Sequence, residues 1–270
     1  AVQRDVASEV ADKQYTAPEK GPVTAADAAK ARGVGPLNES PTNIPQLNLT
    51  DLAALTKARG ASLDDYMTPA VSRSILNNNI SPLARDEVQP AFDKLTPAQT
   101  RVAAVMANQA AIQNVDVGTV LGMGAIESAY GAVKDRIGSQ YQGPTQIGNA
   151  EFNANASPAA QALGKLDTYA NIQAGVAYMG SIEKQLVDKG IATPTTGDVY
   201  GAYNQGVAGY SSLKNNPDIS AVDALRKAGV SAEVARARVA ANLPSSLKAK
   251  AGTITAQQFA NAISNYPANS

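Results

Sequence analysis

Ile172, Val176, Met179, Ile182 and Leu186 recur at three- and four-residue intervals, and Gly190 follows them. That spacing puts all five on one face of an α-helix, and so long an apolar stripe has to be buried against other elements. The segment therefore predicts a helix from about Tyr169 to Lys189, stopped by Gly190. Similar signals surround it. Thr96-Pro97-Ala98-Gln99 combines an N-cap threonine, a proline at the first helical position and a glutamine three residues after the cap. Val102, Val105, Met106 and Ile112 then fall close to one face, interrupted by Gln109. Asp116 stands where it would cap a second helix beginning at Val117. Further helices are expected around Asp198 to Tyr203, ending before Gly206, and from Val222 to Ala228 and Ala232 to Ala241, ended near Pro244. A last one starts at Thr255, where Gln258 repeats the capping-box spacing. No stretch sustains strand alternation, and the chain shows no internal repeat. The expected fold class is mainly α.

The chain divides by composition. Residues 1–94 are rich in Ala, Asp, Lys, Pro and Thr, punctuated by Gly33-Val34-Gly35-Pro36 and Glu39-Ser40-Pro41-Thr42. Short amphipathic pieces such as Leu52-Ala53-Ala54-Leu55 bury little apolar surface, which predicts an extended, partly helical arm that orders best against a partner. Residues 95–218 form the expected helical domain, and residues 219–270 a C-terminal helical extension.

The absences narrow the chemistry. With no Cys and no His, disulfides, thiol nucleophiles, the usual zinc sites and Ser-His-Asp catalysis are excluded. No metal or other cofactor is expected, and a catalyst must use carboxylates, Lys, Tyr or Ser. Charge balances at 23 basic against 23 acidic side chains, which argues against a nucleic-acid partner. Six Lys/Arg against only Asp223 and Glu233 between Ala221 and Lys250 fit a solvated helix face. The opening residues, A-V-Q-R-D-V-A-S-E-V, lack the apolar core of a signal peptide, and no later run approaches membrane-spanning length.

Glu127 stands out. In a helix from Val117 it continues the face of Val120, Met123 and Gly124. A carboxyl on an apolar face is desolvated, which raises its pKa and keeps it protonated near neutral pH, as a glycosidase proton donor must be. The alternative is a helix-end Glu that reaches water or pairs with Lys134 or Arg136. Gly118, Gly122, Gly124 and Gly131 crowd the same stretch, although each costs about 1 kcal/mol in a helix interior. They imply a close neighbour, either another helix or a ligand.

Four segments in order then resemble the soluble lytic transglycosylase family, which has a lysozyme-like fold. Glu127-Ser128-Ala129-Tyr130 resembles its E-S-x-aromatic motif, and Ser139 with Gly143-Pro144-Thr145-Gln146-Ile147 resembles its S…G-L-M-Q-I stretch. Asn171-Ile172-Gln173-Ala174-Gly175-Val176-Ala177-Tyr178-Met179 is similar to its N-I-x-x-G-x-x-Y-L helix, and Ala202-Tyr203-Asn204-Gln205-Gly206 to its A-Y-N-A-G. The resemblance covers roughly residues 96–215.

The resemblance implies that Glu127 is the single catalytic acid, cleaving the bond between N-acetylmuramic acid and N-acetylglucosamine in peptidoglycan and closing a 1,6-anhydro ring. It places Ser139 near the sugar's acetamido group, Gln146 along the cleft, Tyr203 in hydrogen-bonding reach of the Glu127 region and Asn204 as a cleft-shaping residue. A hydrolase would need a second carboxylate at a set separation. Asp135, Glu151 and Asp167 are the candidates, and none has a compelling sequence environment. Two departures stand out. The interval from Glu127 to Ser139 is a few residues longer than the family's, so the loop between them is expected to be remodelled. The family's G-A-x-G-L-M-Q has become Q-Y-Q-G-P-T-Q, where Pro144 removes a backbone donor and Thr145 replaces an apolar cleft residue.

The expected role is a bacteriophage virion protein, in the tail or among the ejected proteins, that opens the wall locally for genome entry. Residues 1–94 would hold it to other virion proteins. A bacterial periplasmic enzyme is the competing setting. A structural virion module with a weakly active or inactive lysozyme-like domain, and a glycan-binding module without catalysis, are the non-enzymatic readings.

Overall fold

The computed structural model describes residues 47–81, 89–133, 135, 139–243 and 245–265. Among them the chain is mainly helical, with no β-strand and only two isolated bridges, Gln142 to Ile147 and Ser220 to Thr255. No helix among these residues is long and apolar enough to cross a membrane. The contacts divide the chain after Gly180 into two compact units.

The first unit contains α1 (Leu49–Ala58), α2 (Pro69–Asn79), α3 (Pro97–Ile112), α4 (Val117–Ser128), α5 (Asn149–Asn155), α6 (Pro158–Leu163) and the beginning of α7 (Thr168–Asp188). α3 is its centre, and packs against α2 on one side and α4 on another. Its start follows the sequence signal. Thr96 Oγ1 accepts from Gln99 N–H, Gln99 Oε1 accepts from Thr96 N–H, and Pro97 occupies the first turn, where a missing N–H costs nothing. Every residue from Val102 to Ala110 is buried, so α3 has no solvated face over that span.

That explains why Gln109 interrupts the apolar stripe. It is fully buried, and its amide nitrogen donates to Asn48 Oδ1 at 3.0 Å, while Asn108 Nδ2 donates to Leu47 O, also at 3.0 Å. Asn48 is the N-cap of α1, its Oδ1 accepting from Thr50 N–H. Two polar residues of the central helix thus fix the entry of α1, at the cost of no unsatisfied amide there.

Residues 47–81 therefore depart from the expected extended arm. Leu49, Ala53, Leu63, Met67 and Leu76 are buried, Thr50 Oγ1 donates to Tyr169 O, and Tyr169 OH donates to Asp64 Oδ1 at 2.8 Å. The short apolar pieces suffice because α3 and α6 supply the surface they cover, which the local sequence does not display. Residues 1–46 and 82–88 of the expected arm lie outside the described residues.

The second unit, over its described residues 181–243 and 245–265, contains α8 (Thr196–Gln205), α9 (Val207–Asn215), α10 (Ala221–Lys227), α11 (Ala232–Asn242) and α12 (Ala256–Ser264). Division after Gly180 differs from the boundaries expected after residues 94 and 218, because α8 and α9 pack with α10 and α12. Gly197 and Gly201 lie one turn apart on α8. A Cβ at Gly197 would strike the carbonyl oxygen of Ser264, and one at Gly201 the ring of Tyr210, so both glycines serve close helix approach.

Tyr210 is fully buried and joins three helices: its hydroxyl donates to Asp198 Oδ1 at 2.8 Å and so accepts from Ser264 Oγ at 2.6 Å. Asp198 Oδ2 accepts from Thr195 N–H and Oγ1, and Lys214 Nζ lies 3.1 Å from Oδ1. Burial alone would raise the Asp198 pKa, but the hydrogen bonds from Thr195, Tyr210 and Lys214 outweigh it and hold the carboxyl below its ordinary value. A depressed folded-state pKa contributes stability that is present above the unfolded value, about 3.9, and is lost as pH falls through the folded value. Asp198→Asn is therefore expected to cost about 1–3 kcal/mol at pH 7, with the gap to wild type narrowing toward pH 3. Urea unfolding at the two pH values checks this, and a gap that stays constant would refute it.

Candidate active site

Glu127 is one residue from the C-terminus of α4. The helix starts where Asp116 Oδ1 accepts from Thr119 N–H at 2.7 Å, and its buried residues include Val120, Met123, Gly124 and Glu127. Glu127 is 4 % exposed, so the carboxyl-bearing side chain lies within the face that the spacing predicted. Lys134 and Arg136, its alternative partners by sequence, fall outside the described residues. The glycine question is settled at Gly124, where a Cβ would strike the thioether of Met106 on α3; the close neighbour there is a helix. At Gly118 the nearest foreign atom is Oδ1 of the capping Asp116.

α4 ends abruptly. Ala129, Tyr130 and Gly131 take φ of 47°, 54° and 79° in succession, a left-handed run in which two residues carry a Cβ. Each such residue costs roughly 1–2 kcal/mol, so surrounding contacts have to impose the shape. They are visible. Ala129 and Tyr130 N–H donate to the carbonyls of Ala125 and Gly124, and Gln99 Nε2 donates to Ala129 O. Ser128 Oγ accepts from Gly131 N–H at 2.8 Å. Burial pushes the Tyr130 hydroxyl up to about 12, so this side chain stays neutral at any physiological pH.

Ser128 also makes the next connection. Its hydroxyl donates to Pro144 O at 2.7 Å, drawing the segment Gln142–Ile147 to the residue beside Glu127. That segment is a tight turn: Gln146 N–H donates to Gly143 O, Gln142 and Ile147 form a bridge, and Gly143 and Gln146 both have positive φ, at 76° and 48°.

Asn171, in the first turn of α7, clamps the turn from the other side. Its Oδ1 accepts from Thr145 N–H and Oγ1 at 3.0 and 2.9 Å, and its Nδ2 donates to Gln142 O at 2.9 Å and Lys165 O at 3.2 Å. Two glycines permit this approach. A Cβ on Gly143 would overlap the Asn171 amide, and one on Gly175 would overlap the Thr145 side chain.

The structure thus brings three of the four motif segments together, through contacts among their own motif residues. One sequence expectation is corrected. Thr145 does not line a cleft; it is fully buried and faces Asn171 and Gly175, so its hydroxyl serves the scaffold. Pro144 loses no needed donor, because only its carbonyl is used there.

The remaining expected residues are placed less centrally. Ser139 Oγ accepts from Tyr141 N–H at 3.1 Å within its own loop. Gln146 is 8 % exposed; its Nε2 donates to Asp135 Oδ1 and to Gly143 O, each at 2.8 Å. Tyr203 and Asn204 belong to the second unit, where Tyr203 is buried and Asn204 Nδ2 donates to Tyr200 O on its own helix.

The candidate second carboxylates all have structural employment or burial. Asp167 caps α7, accepting from Tyr169 and Ala170 N–H. Asp135 accepts from Gly143 N–H and Gln146 Nε2. Glu151 is buried in the first turn of α5, where a Cβ on Gly148 would meet its carboxylate. Among the described residues no group of three or more acidic side chains could hold a metal ion.

Sequence reasoning named Asn171, Gly175 and Ser128 as motif letters but gave them no task. Their task is to lock the Gly143–Gln146 turn against the end of α4. Compared with protein-family models, curated proteins and solved structures, the chain matches none of them, so its function has to be argued from these residues and their geometry.

Proposed function

We propose that this chain is a peptidoglycan lytic transglycosylase with a lysozyme-like catalytic region, and that Glu127 is its acid and base. One observation carries the reading: the motif segments around residues 127, 143–147 and 171–175 interlock beside a carboxyl that is 4 % exposed. Glu127 protonates the glycosidic oxygen that leaves with N-acetylglucosamine. Its carboxylate then takes the proton of the muramoyl 6-hydroxyl as that oxygen attacks the anomeric carbon, closing the 1,6-anhydro ring. The sugar's 2-acetamido group stabilises the charge that develops between these steps, so no second protein carboxylate takes part. The occupied roles of Asp135 and Asp167 favour this route over hydrolysis, which requires a carboxylate set aside for water.

The proposed setting is a bacteriophage virion, in which the protein opens the cell wall locally during genome entry. Other virion proteins are its proposed partners.

Mass spectrometry of the muropeptides that the full chain releases from purified peptidoglycan tests the reaction. Products ending in 1,6-anhydromuramic acid are expected. Reducing-end products would make the protein a hydrolase. No release from walls of several chemistries would end the enzyme reading and favour a structural module.

A further inference from the structure

The side-chain amide of Gln146 is held by two acceptors. Its Nε2 donates to Asp135 Oδ1 and to the carbonyl oxygen of Gly143, both at 2.8 Å. A primary amide has two N–H donors on its nitrogen, and both are now committed. Neither partner can donate in return, since one is a carboxylate oxygen and the other a backbone carbonyl. A flipped amide would set its oxygen against both acceptors, so the pair fixes which end points where. No hydrogen bond reaches Oε1 among the described residues, and it is the one polar atom of this side chain left to meet a ligand.

We propose that Asp135 is a positioning residue: it orients Gln146 so that only the amide oxygen faces bound glycan, making this wall an acceptor for a sugar hydroxyl or acetamido N–H. The inference rests on the glycan-cleaving reading above and gives Asp135 a task other than acid–base chemistry. The same Oδ1 also takes Gly143 N–H at 2.9 Å, so one oxygen ties the backbone of the turn to the side chain it presents. Charge-assisted bonds of this kind are stronger than neutral ones and directional. Gln146 itself sits at φ 48°, in the left-handed region.

The experiment is a double-mutant cycle on the full chain, with D135A, D135N, Q146A and D135A/Q146A compared in initial rates of muropeptide release. Thermal unfolding of each variant is measured alongside. D135A is expected to lower the rate about tenfold in the wild-type background, the scale of one lost orienting bond, and to cost almost nothing further when Gln146 is already Ala. D135N keeps an acceptor oxygen and recovers most of the loss. An equal loss from D135A in both backgrounds would overturn the proposal, leaving Asp135 as a mere support of the Gly143 turn. A loss in D135N as complete as in E127Q would also overturn it, by making Asp135 a second acid–base group.

The side-chain amide signals of Gln146 in a ¹H–¹⁵N spectrum supply a readout that needs no catalysis. Two shifted, slowly exchanging protons are expected in wild type and D135N, and in D135A the proton released from Asp135 is expected to move to the shift of a free amide and to exchange faster with water. Should wild type release nothing from peptidoglycan, the glycan-cleaving reading fails, and these signals alone judge the orientation. Signals unchanged in D135A would sink it.

Discussion

On the proposed reading, Glu127→Gln is expected to lower the release of muropeptides by about 10²–10⁴-fold, the range that a positioned general acid contributes, and to leave the thermal transition close to that of wild type. The substitution keeps the size and shape of the side chain and removes the proton that the carboxyl would give and take back in the proposed reaction. Because Glu127 is buried at the end of α4, with Val120 and Met123 filling the turns before it, no other carboxyl on that helix can substitute. The rate loss has to appear at saturating substrate as well as at limiting substrate, since the lost interaction belongs to the transition state and not to binding. Retained activity in the Gln variant would remove Glu127 from the proposed mechanism, and with it the strongest reason for that reading.

Asn171→Ala comes second in size, and its effect is on stability. The side chain is fully buried and makes four hydrogen bonds, accepting two from Thr145 and donating to the carbonyls of Gln142 and Lys165. Alanine deletes all four of these bonds in a space sealed by Gly143 and Gly175, and leaves the Thr145 hydroxyl the backbone carbonyl of residue 171 at 3.3 Å. A cost of about 3–5 kcal/mol follows from the desolvation of those groups together with the cavity. Thr145→Val is the control: it keeps the shape, deletes only the hydroxyl, and is expected to cost about 1 kcal/mol. Urea unfolding of the three proteins decides the matter. An Ala variant within about 1 kcal/mol of wild type would mean that water or a shifted turn replaces the clamp.

Much of the helical scaffold was legible because its signals are local. The capping boxes Thr96/Gln99 and Thr255/Gln258, the Asp116 cap and the stripe from Ile172 to Leu186 all act over three or four residues, and each marks a helix that the structure contains. α8 begins two residues before the expected Asp198, because Asp198 is the third residue of a helix whose capping box starts at Thr195. α9 was hidden for a related reason. Gly206 reads as a stop, yet it ends α8 and starts α9 at once. α5 and α6 span 7 and 6 residues, too short for a periodic stripe.

Long-range pairing was not legible at all. Gln109 looked like a flaw in a stripe until its partner Asn48 was in place, and Thr145 looked like a cleft residue until Asn171 was. For the site, the order of the motif segments could be read from the sequence, and so could the burial of Glu127. The tasks of Asp135, Ser128 and Asn171 could not, because each depends on a partner 11 to 29 residues away.

The left-handed run at Ala129, Tyr130 and Gly131 has a consequence for how such a protein can change. The chain leaves α4 in a direction set by Ser128, Gln99 and the carbonyls of Ala125 and Gly124, all of which lie before the loop that follows. Whatever is inserted or deleted after Gly131 pulls on a segment already anchored, and lengthening a loop costs little, about 0.6 kcal/mol per doubling. Residues between Gly131 and Ser139 can thus be gained or lost without moving Glu127. Variation in that loop is free to accumulate while the Glu127 side chain stays where it is.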